Sequence, residues 1–188
     1  MRTIQVSIKG ADPGLLMHRF SEITEKELQD PVKPVHKTKP TPAEEFEMSA
    51  YRRAGDRKFV QPAEHIYQAL VKAAAQFQIQ GQGKKTYKDD FKGSLLVEPR
   101  FILHENQEAV QHQAPVRIQR ARIVRTRAWL PEWGLSFELK LLDDHIPLEV
   151  IEAVIRVAGE RIGVGDYRPR FGRFEVTHFE LQEFSQIA

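Results

Sequence analysis

Apolar and polar residues alternate at the start of the chain, where Ile4, Val6 and Ile8 are interleaved with Thr3, Gln5 and Ser7. A period of two places the three aliphatic side chains on one face of an extended segment. Thr3 to Lys9 therefore predicts a half-buried strand, closed by Gly10, Asp12, Pro13 and Gly14. After Pro62 the period changes: Ile66, Leu70, Ala73 and Phe77 recur at helical spacing, Pro62 suits the first helical position, and Glu64 lies in the positive first turn. A core helix is predicted there. A second helix is capped by Asp143 or Asp144, with Pro147 near its start and a buried stripe of Val150, Ile151, Val154, Ile155 and Ala158 before Gly159 ends it.

Between and around these helices the pattern is extended. Leu95, Val97 and Phe101 alternate within Ser94 to Leu103, although Pro99 makes that strand an edge or a bulge. Val116 to Trp129 and Leu135 to Leu142 predict two strands of an antiparallel hairpin joined through the turn PEWG, and Arg173 to Leu181 predicts a last strand. A short helix is predicted near Ala43 to Arg52, a brief extended piece at Lys58 to Gln61, and a loop at GKKTYKDDFKG. Ser21 to Pro42 holds Pro31, Pro34, Pro40 and Pro42 among lysines, so few amides serve regular structure and a long loop results, part of an insertion spanning about 21–57. Merging or displacing one strand gives the order βαββαβ. That is an α+β, ferredoxin-like sheet with two helices on one face, an inserted loop after the first strand, and a free face on which such folds commonly bind.

Composition narrows the function classes. Hydrophobic residues at 41% and charged residues at 29% are ordinary globular usage, and 188 residues suit one domain with one core. No apolar run approaches the roughly 18 residues of a membrane span, so a soluble, cytoplasmic protein is expected. The absence of cysteine excludes disulfides, thiolate catalysis and Cys-type metal centres. Histidines stand at positions 18, 36, 65, 104, 112, 145 and 178 without metal-ligand spacing, so neither a metal nor a cofactor is expected. GVGDYR follows a helix, the wrong context for a dinucleotide fingerprint.

The net charge of +2 is too mild to point to a polyanion, but its distribution is uneven. Arg161, Gly163, Gly165, Tyr167, Arg168, Arg170, Phe171 and Arg173 fall within one helix-to-strand connection. Guanidinium groups neutralise phosphates, rings stack on bases, and glycines admit a phosphate to the backbone amides. The bland counterpart is that the glycines cap a helix, the rings pack in the core and the arginines are solvated. In the series Arg117, Arg120, Arg122, Arg125 and Arg127, residues 117, 125 and 127 share one parity, 120 and 122 the other. Either a bulge re-aims the strand or both faces are charged, with Arg120 and Arg122 as candidate contacts. Lys84 and Lys85 are candidates to extend a backbone-binding groove.

Three segments, GADPGLLMHRF after the first strand, KFVQPAEHIYQAL at the first core helix and GVGDYRPRFGRF before the last strand, resemble the RAMP superfamily of CRISPR-associated proteins. The likeness is to the backbone subunits that polymerise along guide RNA in antiviral defence, or to a stand-alone relative carried by a phage or mobile element. It implies an RRM-like core, an insertion that acts as a thumb, and a self-associating, non-enzymatic subunit packed head to tail on single-stranded RNA or DNA, with other effector-complex subunits as further partners. Some members of the superfamily cut RNA with a loop aspartate or histidine, and Asp12, Asp30, His18 and His36 lie in the corresponding region. An RNA endonuclease is the rival reading. A protein-binding ferredoxin-like module is the third.

Overall fold

The computed structural model describes residues 1–19, 40–118 and 121–182. The strands are β1 (Arg2–Gly10), β2 (Leu15–Leu16), β3 (Val60–Pro62), β4 (Leu95–Glu98), β5 (Phe101–Leu103), β6 (Val110–Ile118), β7 (Ala121–Leu130), β8 (Gly134–Leu141) and β9 (Phe174–Gln182). The helices are α1 (Pro42–Ser49), α2 (Ala63–Ala74), α3 (Lys88–Ser94) and α4 (Leu148–Val157), the last running into a π turn, Ala158–Ile162. The fold is mixed α+β with antiparallel sheets. Most of the predicted long loop, from Ser21 to residue 39, lies outside the described residues.

The principal sheet has the order β4-β8-β1-β9, every neighbouring pair antiparallel. Its register sets Ile4, Val6 and Ile8 of β1 opposite Leu139, Phe137 and Leu135 of β8, and all six are buried. The period-two pattern of the sequence is therefore the inner face of this sheet. α2 adds Ile66, Ala69, Leu70, Ala73 and Ala74, and α4 adds Ile151, Val154 and Ile155 to the same core. Each buried Val, Leu, Ile or Phe side chain contributes about 1.5–3 kcal/mol, which is why helical and strand periods both survive in the sequence.

Five expectations are corrected. Val116 to Trp129 is not one strand, because β6 and β7 form a hairpin whose register runs from Val110 opposite Trp129 to Ile118 opposite Ala121. β7 also does not pair with β8; it pairs with β6 and β2, and PEWG carries the chain between sheets while Trp133 enters the core. Ser94 to Leu103 divides at Pro99 into β4, at the edge of the principal sheet, and β5, which pairs with β3. The lysine-rich loop contains α3, folded because Phe91 is wholly buried.

Gly159 does not end α4. A Cβ there would meet the carbonyl oxygen of Phe174 at 2.1 Å, so this glycine permits close helix-to-strand packing and the turn ends at Gly163. α1 is fixed at its start by a capping box, in which Glu44 N donates to Thr41 Oγ1 and Thr41 N donates to the Glu44 carboxylate. One turn apart on α1, Glu45 and Ser49 accept the amides of Thr126 and Ala128, at 2.7 and 2.8 Å. Their side chains thus satisfy the edge of β7 that the two-residue β2 leaves uncovered.

Candidate nucleic-acid interface

The connection from the π turn to β9 has a buried foot and an exposed arc. Val164 N donates to Gly172 O, Gly172 N to Gly14 O and Asp166 N to Leu16 O, at 2.8–2.9 Å, which pins the loop to the segment after β1. Gly172 has a φ of 77°, and a Cβ would stand 1.7 Å from the Val164 carbonyl oxygen, so only glycine fits. Phe171, 7% exposed, packs edge-on against His112 of β6 and against Tyr167. Gly163 N donates to Ala158 O. For Gly163, Phe171 and Gly172, the structural alternative describes the residues: these amides are occupied and this ring is in the core.

The arc Tyr167 to Arg170 is the converse. Tyr167 is 62% exposed although its φ of 58° places a non-glycine residue in the left-handed region, a cost that the surrounding hydrogen bonds sustain. Arg161, Arg168, Arg170 and Arg173 are exposed and form no ion pair among the described residues, whereas Arg125 is paired with Glu45 and Arg127 with Asp166. Lys72 of α2, Arg161, Tyr167 and Arg168 line a groove of about 470 Å³. A positive groove with an exposed ring at its lip can hold phosphate by charge and a planar group by stacking.

Around the arc stand His18, already a candidate from the sequence, and groups that the sequence did not single out. Asp166 accepts from Arg127 Nε at 2.6 Å and lies 3.8 Å from His18 Nδ1. Burial, then the charge of Arg127, holds the His18 pKa below its ordinary value against the pull of Asp166. Burial, then the charge of Arg168, likewise lowers that of His65, whose Nδ1 is 2.6 Å from Gln61 Nε2 and whose ring lies edge-on to Tyr51. His104, wholly buried, is pushed down to about 3 by burial and exchanges no proton near neutrality. Lys72 had no signal of its own, since a single lysine on a helix reads as a solvated residue, and only the topology brings it beside Arg161.

The other candidates are dispersed. Arg122 is exposed on β7 and stands opposite Arg117 in the hairpin register; Arg125 and Arg127 lie on the other face. The parity problem thus resolves into a hairpin, without a bulge. Arg120 lies outside the described residues, as do Asp30 and His36. Lys84 and Lys85 are exposed in the turn after α2, and among the described residues no hydrogen bond or ion pair joins them to the C-terminal loop.

The free sheet face, where the fold class leads one to expect binding, is predominantly acidic among the described residues. Outward positions include Thr3, Gln5, Ser7 and Lys9 of β1, Ser136, Glu138 and Lys140 of β8, Glu98 of β4, and Glu175 and Glu180 of β9. Four carboxylates face two ammonium groups, one of which, Lys140, is paired with Glu98. Opposite Ser7 the exposed His178 of β9, 3.3 Å from Glu180, is the one ring among these positions, so the surface disfavours phosphate and carries no Phe, Tyr or Trp platform for a base.

Among the described residues no helix is long and apolar enough to cross a membrane, and no group of three or more His, Asp or Glu side chains is placed to hold a metal ion. Comparison with known proteins finds no matching family model and no matching curated protein.

Proposed function

We propose that this chain binds single-stranded nucleic acid, RNA in the first place, through its C-terminal loop: Arg161, Arg168, Arg170 and Lys72 neutralise phosphates and Tyr167 stacks on a base. The observation that carries the reading is the coincidence of unpaired cations with an exposed ring on a firmly anchored arc, on a chain whose other large polar face is acidic. The sheet order supports a ferredoxin-like, RRM-like plan in which β1, α2, β4, β8, α4 and β9 are the six βαββαβ elements. On that plan the chain is a RAMP-like, CRISPR-backbone-type or stand-alone subunit that self-associates head to tail, acidic sheet face towards a neighbour's basic hairpin, with the insertion reaching the next copy.

The test is the double variant Arg168→Ala/Arg170→Ala in a titration of labelled single-stranded RNA at several salt concentrations. Affinity falls at least tenfold, and the slope of log affinity against log salt falls by about two units as two phosphate contacts are lost. Parent-like binding at matched salt sinks the assignment. The endonuclease reading keeps one specific support: His18 and His65 both border Tyr51, which donates to His18 O, and stand beside the arginine loop. Cleavage of the labelled RNA by the parent, lost in His65→Ala, would establish it.

A further inference from the structure

A second cleft, about 1,070 Å³, lies between α2 and strands β4 and β5. Its shape follows from the chain path. β4 ends at Glu98 on the principal sheet, the backbone turns at Pro99, and β5 departs to pair with β3, so the two walls belong to different sheets. The chain on either side of β4 is tied to α2: Ala63 N donates to Arg100 O, just before β5, and Tyr67 Oη donates to Lys92 O in α3, each at 2.9 Å. The cleft is thus formed in advance of any occupant.

Its lining is aromatic and its rim is cationic. Tyr51, Tyr67 and Phe101 face it, with Lys92 and Arg100 alongside. Phe101 is 48% exposed, where burial of a ring this size would contribute about 1.5–3 kcal/mol, and the Arg100 guanidinium lies over it at 5.4 Å. Two carboxylates also line it: Glu98 pairs with Lys140, whereas Glu64 accepts from the neutral Gln68 amide and keeps its charge, so the lining keeps one more free cation than free carboxylate. Lys92 and Arg100 have no carboxylate partner among the described residues, so the cleft favours a ligand that is both anionic and planar.

The cleft and the arginine loop lie near each other, on either side of His65. His65 stands in the cleft wall, edge-on to Tyr51, and Arg168 of the basic groove is close enough for its charge to act on His65. Along α2, Lys72 in the basic groove is seven residues from His65, two turns or about 10 Å.

We infer that this cleft is a second subsite for the same single strand, in which nucleobases stack on Phe101 and Tyr67 while Lys92 and Arg100 hold the intervening phosphates. This rests on the nucleic-acid reading proposed above. A peptide added to the open edge of β4 is the competing occupant, but strand addition uses backbone groups and gives no role to two unpaired cations and an exposed ring.

The experiment compares the parent with Phe101→Ala, with Phe101→Leu, which keeps apolar volume without the π face, and with Lys92→Ala/Arg100→Ala, using uridylate oligomers of four and twelve residues. For the dodecamer, both Phe101 variants lose about 5- to 150-fold in affinity with an unchanged salt slope and an unchanged melting temperature. The double cation variant lowers the slope by about two units. The tetramer, held on the arginine loop, is kept by all three variants and released by Arg168→Ala/Arg170→Ala. Parent-like dodecamer binding by both Phe101 variants overturns the subsite, and so does a change of oligomeric state at unchanged RNA affinity, which would assign the cleft to a protein segment. A parent that binds neither oligomer at low salt removes the nucleic-acid reading itself, and the subsite with it.

Discussion

The free face of the principal sheet and the loop from Gly163 to Arg173 meet at the start of β9, where the sign of the surface changes between Arg173 and Glu175. Both were forced to be polar for the same reason, because their opposite sides are the core: Val6 and Phe137 beneath the sheet, Val164 and Phe171 beneath the loop. Folding requires polarity outside and is indifferent to its sign. The sheet's outer positions carry carboxylates and hydroxyls with His178 as their one ring, and the loop's outer positions carry guanidiniums and Tyr167. A free sheet face is therefore not by itself a binding site. On the proposed reading the architecture supplies a platform and the loop supplies the chemistry.

The sharpest way to break that contrast is to attack the foot of the loop. Phe171→Ala removes a buried ring from its contacts with His112 and Tyr167 and lowers stability by about 3–5 kcal/mol, read as a fall in the denaturant midpoint. Binding is then lost only together with the fold. A variant that keeps full stability and loses affinity would place Phe171 on the ligand and erase the division between foot and arc. The next test addresses the sheet: Glu138→Lys with Glu180→Lys makes the free face basic at exposed or half-exposed positions. Stability changes by no more than about 0.5 kcal/mol per site. Affinity for single strands rises by less than tenfold at low salt and returns to the parent value near physiological salt, where charges beyond about 8 Å are screened. A larger, salt-resistant gain would mean that the strand crosses the sheet after all.

How much of this was legible in the sequence depended on whether the signal was local. β1, α2 and α4 bury one face along a regular period, so Ile4, Ile66 and Val154 declared their elements. The hairpin did not declare itself, since the residues from Arg117 to Arg122 include no glycine, proline or asparagine to announce a reversal, and β-favouring residues continue on both sides. The loop was legible as a concentration of arginines, but its division was not. Gly172 and Phe171 are defined by contacts with Gly14 and His112, which are distant in sequence, and the same distance hid Lys72, His65 and Tyr51.

Tyr167 gives the smallest effect on stability and the cleanest division of roles. Its φ of 58° costs a β-carbon-bearing residue roughly 1–2 kcal/mol, and Tyr167→Gly removes that cost. Against it, glycine adds about 0.5–1 kcal/mol of unfolded-state entropy, and the edge-on contact with Phe171 contributes at most about 0.5–1.5 kcal/mol, less at this exposure. These terms nearly cancel, so the melting temperature of Tyr167→Gly stays within a few degrees of the parent. Affinity for single-stranded RNA, by contrast, falls by about 1–3 kcal/mol with the salt slope unchanged, because a stacking contact is lost and no phosphate contact is. Parent-like affinity would show that the ring does not stack and that the arginines act alone. A parallel fall of stability and affinity would show that the ring holds the arc in place, which would make Tyr167 part of the foot.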